Sequence, residues 1–326
     1  MNRTVADVGE DALLAEIFPV LPLGSATILG PGDDAAVLAA PDARVVVSTD
    51  VLVEGRHFQR DWGTGVDVGW RAAVQNLADV AAMGARPTAL VVGLVLPGDI
   101  EVSWVLDLAR GLAAASEPHG VGVVGGDLSG GEEIVIAVTV LGDLGGRAPV
   151  RRDGARPGDV VALVGTLGRA AAGLAVLESG AAPSADSASV ESVVASFLRP
   201  TPPVGLGTVA ADAGARAMID LSDGLLRDSG RVARASGVAI DIDSEAVRRL
   251  AEPLGAAADL LGVDPLAWAL TGGEDHGLLA CFAAGTTLPA DFTAVGRVVE
   301  AEGEAGVLVD GEPWSGSPGF DHFGGS

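Results

Sequence analysis

Residues 145–158, GGRAPVRRDGARPG, decide how the chain is divided. Ten of these fourteen positions are Gly, Pro or Arg, a composition that favours turns over a packed strand or helix. On the upstream side the spacing predicts a short amphipathic helix at 8–18, ending at Pro19, and strands at 35–39 and 44–49. A helix at 66–84, a strand at 88–96, a helix at 101–117 and strands at 121–124 and 133–142 follow. Downstream the alternation starts again. Strand 159–164 and helix 168–178 lead to helices near 189–198 and 204–214, then strand 215–220, helix 224–236 and strand 238–242. A helical region runs to about residue 270, and strands at 277–283, 292–299 and 306–309 close the pattern. The turn signal SGGEE between two strands argues against a purely parallel sheet. The expectation is a mixed α/β protein of two domains, 1–147 and 148–326, which suits a length of 326 residues.

Composition excludes several classes of function. The chain carries 44 acidic and 20 basic residues, a formal charge of -24, so phosphate-backbone binding through a basic surface is not expected. Aromatics make up 4% of the residues and leave few platforms for stacking bases. The longest apolar runs, TALVVGLVLP and IVIAVTVLG, fall below the roughly 18 residues of a spanning helix. Acids at Asp7, Glu10, Asp11 and Glu16 interrupt the start where a signal peptide stays apolar, so the chain reads as cytoplasmic. A single cysteine, Cys281, excludes an intrachain disulfide and a multi-cysteine zinc site. Every basic residue is arginine, which excludes a P-loop lysine, a kinase-type strand lysine and a Schiff-base lysine.

Against that background the acids cluster at junctions. VVVSTD ends a predicted strand at Ser48, Thr49 and Asp50, and VGVVGGD ends one at Gly126 and Asp127. AMIDLSDG ends one at Asp220, with Ser222 and Asp223 beginning the next helix. Asp33 and Asp34 sit on the turn GPGDD, Glu274 and Asp275 on the turn TGGED, and Asp79 lies off the apolar stripe of the 66–84 helix. Taken singly, each is an ordinary helix cap or turn residue. Taken together they form a set, because strand ends in α/β folds converge where ligands bind. Converging carboxylates repel unless cations intervene, and Mg²⁺ takes carboxylate oxygens together with substrate phosphates. Glycines beside the acids let phosphates approach backbone N–H groups. The residues therefore point to Mg²⁺-dependent handling of a phosphorylated compound, with Arg151 or Arg152 assisting. No histidine pair has zinc spacing and no G-x-S-x-G elbow is present, so zinc-enzyme and hydrolase readings are weak.

GPGDDAAVL, VVVSTDVLVEGRHF, NLADVAAMGARP, GGDLS, IDLSDGLLRD, LTGGEDHGLL and GFDHF, in this order and across nearly the whole chain, resemble the thiamine-monophosphate kinases. The resemblance implies the two-domain fold of the aminoimidazole-ribonucleotide-synthetase superfamily. In it the N-terminal domain binds ATP and Mg²⁺ and pairs with a second subunit, and the C-terminal domain completes the active site. It also implies transfer of the γ-phosphate of ATP to thiamine monophosphate, with several Mg²⁺ ions. Carried over by motif, the metal set is Asp33, Asp34, Ser48, Thr49, Asp50, Asp79, Asp127, Asp220 and Asp223, with Asp34 the direct ligand of the first pair. ATP contacts are Gly126, Asp127, Arg152 and Ser222, and thiamine-side contacts are His57, Glu274 and Phe320. The sequence departs from the family at His276-Gly277, where an aromatic and an acid are common. No acid–base residue is needed, because a phosphate acceptor with a second pKa near ~6 is already a dianion. The alternatives are a non-catalytic nucleotide- or Mg²⁺-binding paralogue and another ATP-using enzyme of the superfamily. Selenophosphate synthetase is expected to show a reactive Cys with a lysine, and the hydrogenase-maturation member a terminal cysteine. This sequence has neither, and reads HFGGS at its end.

Overall fold

The computed structural model describes residues 3–31, 35–181 and 187–320. Asp33 and Asp34, two of the expected metal ligands, lie outside the described residues. The chain forms two compact units, residues 1–80 with 85–146, and residues 81–84 with 147–326. Among the described residues no helix is long and apolar enough to cross a membrane.

In the first unit the initial helix is broken into α1 (Val5–Val8) and α2 (Glu10–Ile17), because Gly9 between them takes a φ of 75°. A two-stranded piece, β1 (Thr27–Leu29) and β2 (Val37–Leu38), comes next. The main sheet contains β3 (Val46–Val53), β4 (Arg86–Leu96), β5 (Gly122–Gly130) and β6 (Val135–Asp143) in the order β3-β6-β4-β5. Only the β4–β5 pair is parallel. Strand β5 is therefore not hairpin-paired with β6; β4 inserts between them. Side chains alternate across the sheet with period two. Ile136, Val138 and Val140 of β6 are buried on the face shared with Ser48, Asp50 and Leu52. The opposite face carries Val47, Thr49 and Val51, with Val47 64% and Val51 43% exposed.

Helices α3 (Gly65–Ala82) and α4 (Val102–Ser116) lie against each other through glycine. A Cβ built on Gly69 stands 2.0 Å from the Leu108 carbonyl oxygen, and one on Gly111 stands 2.1 Å from that of Val66. The helix backbones are thus in contact, and no larger residue fits at these positions without moving one of them.

The second unit is built on a seven-stranded sheet in the order β13-β12-β9-β11-β7-β10-β8. Its strands are β7 (Val160–Val164), β8 (Ala217–Asp220), β9 (Ala239–Ile242), β10 (Leu278–Phe282), β11 (Thr293–Val299), β12 (Gly306–Val309) and β13 (Glu312–Pro313). Strands β8, β9 and β10 are buried at every residue, the signature of strands covered on both faces. The helices of this unit are α5 (Arg169–Ser179), α6 (Ser187–Leu198), α7 (Leu206–Asp212), α8 (Leu225–Ser236), α9 (Ser244–Leu250), α10 (Gly255–Leu261) and α11 (Pro265–Thr271). Cys281 of β10 is buried in the core, and that burial pushes its thiol up to about 12. It is a small apolar core residue. The mixed α/β class read from the sequence is the observed one.

The α3–α4 contact makes a direct prediction. Gly69→Ala should lower unfolding stability by about 1–3 kcal/mol, because a methyl group cannot enter the helix contact. Gly255→Ala in α10, where an added Cβ meets nothing within 4 Å, should be neutral or stabilising. Urea unfolding of both variants checks the pair.

Candidate functional site

Asp50 and Asp127 sit within strands, not at their ends. Ser48, Thr49 and Asp50 fall in the middle of β3, which runs on to Val53 because it pairs with β6 over its whole length. Gly126 and Asp127 likewise fall inside β5, whose parallel pairing with β4 continues to Gly130. Alternation therefore separates neighbours. Ser48 Oγ donates to Asp79 Oδ2 of α3 at 2.5 Å, and the Asp50 N–H donates to Asn76 Oδ1 at 3.2 Å. Asn76 is itself fixed by donating to the Ala72 carbonyl, one turn back. Ser48, Asp50 and Asp79 thus share one face of the sheet. Thr49 leaves on the other and bonds Thr139 at 2.8 Å.

Asp127 is exposed, and its Oδ2 accepts from Ser129 Oγ at 3.1 Å. The glycine before it has a reason the sequence did not disclose. A Cβ on Gly126 would stand 1.8 Å from the Val92 carbonyl oxygen, so Gly126 is required by the packing of β5 on β4. A cavity of about 540 Å³ opens beside this stretch, lined by Leu14, Phe18, Val91, Leu112, Gly126 and Asp127 among others. His57 lies in the turn after β3, where its Nδ1 accepts from the Val53 N–H at 3.0 Å. That bond leaves Nε2 as the protonated nitrogen of the neutral ring.

In the second unit two turns are joined backbone to backbone. Leu221 N–H donates to the Gly277 carbonyl, His276 N–H to that of Leu221, and Glu274 N–H to that of Ser222. A Cβ on Gly273 would stand 2.3 Å from the Ser222 carbonyl oxygen, so the contact tolerates only glycine. Glu274 and His276 take positive φ values of 71° and 53°, conformations that non-glycine residues adopt at a cost. The junction collects Asp220, Ser222, Asp223, Glu274 and His276. Phe320 joins them, its N–H donating to the Asp223 carbonyl at 3.1 Å.

Three groups in this junction carry electrostatic weight. His276 Nδ1 stands 3.2 Å from Asp220 Oδ2, while its Nε2 stands 3.7 Å from Glu274 Oε2, beyond hydrogen-bond reach. Burial alone lowers the imidazole, but the Asp220 and Glu274 carboxylates outweigh it and raise it to about 10. Asp228 is wholly buried in α8 and accepts from the backbone N–H groups of Asp223 and Gly224. Burial, reinforced by Asp220, pushes Asp228 up to about 7 against the pull of those N–H groups and Arg231. Asp275, also buried, accepts from Thr166 Oγ1 and the Arg169 N–H at the start of α5, and burial raises its carboxyl. Asp228, the last residue of IDLSDGLLRD, and Arg231, three residues further on, were not among the expected site residues, because nothing in the residue types ties them to Asp223. Of the arginine doublet, Arg151 is paired with Asp153, while Arg152 is exposed and its carbonyl is held by Ser236 Oγ.

Among the described residues no three His, Cys, Asp or Glu side chains stand together as a ready-made metal site. The donors offered are hydroxyl and carboxylate oxygens, the set a hard divalent ion takes along with waters and phosphates. At Asp223 a guanidinium, that of Arg231, already stands where a cation would bind. In donor chemistry the residues fit a hard divalent ion.

With this geometry in place, the class is defined by comparison. The sequence matches the AIR synthase related protein N-terminal domain over residues 32–144 and the corresponding C-terminal domain over 156–308. Thiamine-monophosphate kinase of Mycobacterium tuberculosis (strain CDC 1551 / Oshkosh) is 46% identical over 323 residues, 99% of this chain and 94% of that protein. The enzyme of the same name from Corynebacterium glutamicum is 42% identical, covering 98% and 95%. Among solved structures, AaThiL complexed with AMPPCP and TMP superposes with a TM-score of 0.79 at 36% identity, covering 89% of this chain and 91% of that one. The chain belongs to the thiamine-monophosphate kinase family, within the AIR synthase related proteins.

The buried imidazolium predicts a pH dependence in the metal-free protein. A pKa raised from 6.5 to about 10 means the His276 contribution to stability is complete below about pH 6.5 and is lost as pH rises toward 10. Unfolding free energies measured in EDTA should fall over that window, and His276→Gln should flatten the fall. An unchanged slope in the variant would show that His276 is not the group responsible.

Proposed function

We propose that the chain phosphorylates thiamine monophosphate with ATP, giving thiamine diphosphate and ADP by direct in-line transfer. The observation that carries this reading is the junction of the two turns. It gathers Asp220, Ser222, Asp223, Glu274 and Phe320 at the carboxyl end of β8, in a chain whose structure parallels a protein complexed with AMPPCP and TMP. AMPPCP mimics ATP with an uncleavable bridging carbon, so that neighbour is a complex with an ATP analogue and TMP. In our reading Gly126, Asp127, Arg152 and Ser222 contact ATP, and the apolar cavity beside Gly126 takes the adenine. His57, Glu274 and Phe320 contact the thiamine side. Residues of both domains, 1–147 and 148–326, serve the one reaction in the cytoplasm.

Asp33, Asp34, Ser48, Asp50, Asp79, Asp127, Asp220 and Asp223 would hold several Mg²⁺ ions, which screen two polyanions from each other and stabilise charge on the transferring group, while Thr49, on the opposite face of its strand, stands outside this set. The chain's own contribution is positional. Asp220 and Asp223 are held by turns locked to each other, and the exposed Arg152 offers a planar fork suited to phosphate. Thiamine monophosphate needs no base to become a nucleophile, since its phosphate is already largely dianionic at neutral pH. The uncovered apolar face of the first sheet, around Val47 and Val51, supports a second copy of the chain as its cover, giving a homodimer.

Coupled ADP release tests the reading. Turnover should rise above the acceptor-free rate with thiamine monophosphate and not with thiamine. Equal rates with and without acceptor would overturn it and favour a nucleotide-binding protein. Asp50→Asn and Asp223→Asn should each reduce turnover by about 10²-fold or more with circular dichroism unchanged. Either variant keeping near-normal turnover at low Mg²⁺ would remove that residue from the metal set. Incubation with γ-labelled ATP should leave no stable label on the protein.

A further inference from the structure

Asp223 is held on three sides. Its N–H is bound by Asp228 Oδ2 at 2.9 Å, and its carbonyl accepts from Phe320. Those bonds fix the peptide and leave the carboxylate to its own partners. Arg231, two turns along α8, places Nη2 2.5 Å from Asp223 Oδ2 and Nη1 2.5 Å from Asp228 Oδ1, while Arg227 Nε stands 3.9 Å from Asp223 Oδ2. The two acceptors of Arg231 differ. Asp228 is fully buried, and both its oxygens are engaged. The Asp223 side chain is 16% exposed, on the more open side of the guanidinium. A guanidinium fork with five donors keeps its grip on one carboxylate when the other is withdrawn.

We infer that Arg231 is the resident counter-cation of Asp223, anchored on Asp228, and that a divalent ion takes Asp223 only in exchange for this guanidinium. The inference rests on the reading of Asp223 as a metal ligand. Arg231 is a positioning residue that works through Asp223. It lowers the repulsion between Asp223 and its acidic neighbours in the metal-free protein, and it weakens metal binding by the amount of the pairing it gives up. The anchor keeps the displaced guanidinium in the site, so the exchange is reversible in place. Two cations compete for one carboxylate, and the coupling must be reciprocal: whatever loosens Arg231 tightens the ion.

The test is Mn²⁺ binding to the full chain without nucleotide, followed by the electron paramagnetic resonance of free Mn²⁺, for wild type, Asp223→Asn, Arg231→Gln and Arg231→Lys. Asp223→Asn should weaken binding at one site. Arg231→Gln should tighten that site by about threefold to tenfold, the scale of a partly exposed ion pair, and should lower the melting temperature more in EDTA than at saturating Mn²⁺. Arg231→Lys keeps the charge but cannot span both carboxylates, so it should also tighten the site. If Arg231→Lys binds as wild type does while Arg231→Gln binds tighter, charge alone acts and the exchange is wrong. Unchanged or weaker binding in Arg231→Gln, with Asp223→Asn still weakened, overturns the role of Arg231 and leaves the metal reading standing. If no Mn²⁺ site responds to Asp223→Asn, the metal assignment of Asp223 falls and the inference with it. Should Arg231→Gln fail to fold, Arg231→Lys decides the matter by itself.

Discussion

A carboxylate removed from water needs a partner, and in a chain of 44 acids and no lysine that partner is an arginine, a histidine, a hydroxyl or a backbone N–H. The buried acids divide according to how they meet this demand. Asp159 is satisfied by Arg216 at 2.6 Å and the Arg156 N–H at 2.9 Å. Asp241 is satisfied by Arg297 and the Gly311 N–H. These two tie strands and loops together. Asp220 and Asp223 are instead partnered by cations shared with a second carboxylate: His276 stands between Asp220 and Glu274, and Arg231 between Asp223 and Asp228. Sharing leaves a carboxylate able to accept another positive partner, which separates a ligand from a tether.

The same demand explains the backbone around the site. Turns 220–224 and 273–277 bond to each other through peptide groups, so the carboxylates are carried on a rigid frame whose hydrogen bonds do not depend on the side chains. The left-handed conformations of Glu274 and His276 are held by that frame and by the buried Asp275 between them. Glycine at 273 lets the two turns touch. The frame is already assembled without a bound charge, so binding energy is not spent on assembling it.

Much of this was legible in the sequence. The alternation of elements on either side of GGRAPVRRDGARPG gave the class, and most predicted helices and strands lie within a few residues of their observed positions. The misses have physical causes. Polar residues in VVVSTD and VGVVGGD look like strand ends, but ladder pairing to β6 and β4 carries both strands through them. Thr49 was grouped with Ser48 and Asp50 by adjacency, while alternation sends it to the opposite face. The Ser48–Asp79 bond joins residues 31 apart and has no local signature. Asp228 and Arg231 read as ordinary residues of an amphipathic helix, because residue types do not show that the two residues before that helix fold back onto its first turns. His276 was visible as a departure from the family pattern, but its charge follows from burial between two carboxylates, which a sequence does not display.

The central claim is that one phosphoryl group passes intact from ATP to the phosphate of thiamine monophosphate. Phosphorus magnetic resonance of a mixture of the chain, ATP, Mg²⁺ and thiamine monophosphate tests it most directly. The account predicts that the monoester signal of the acceptor is replaced by the two coupled signals of a diphosphate, in step with the conversion of ATP to ADP. Inorganic phosphate appearing with ADP while the monoester signal persists would contradict it.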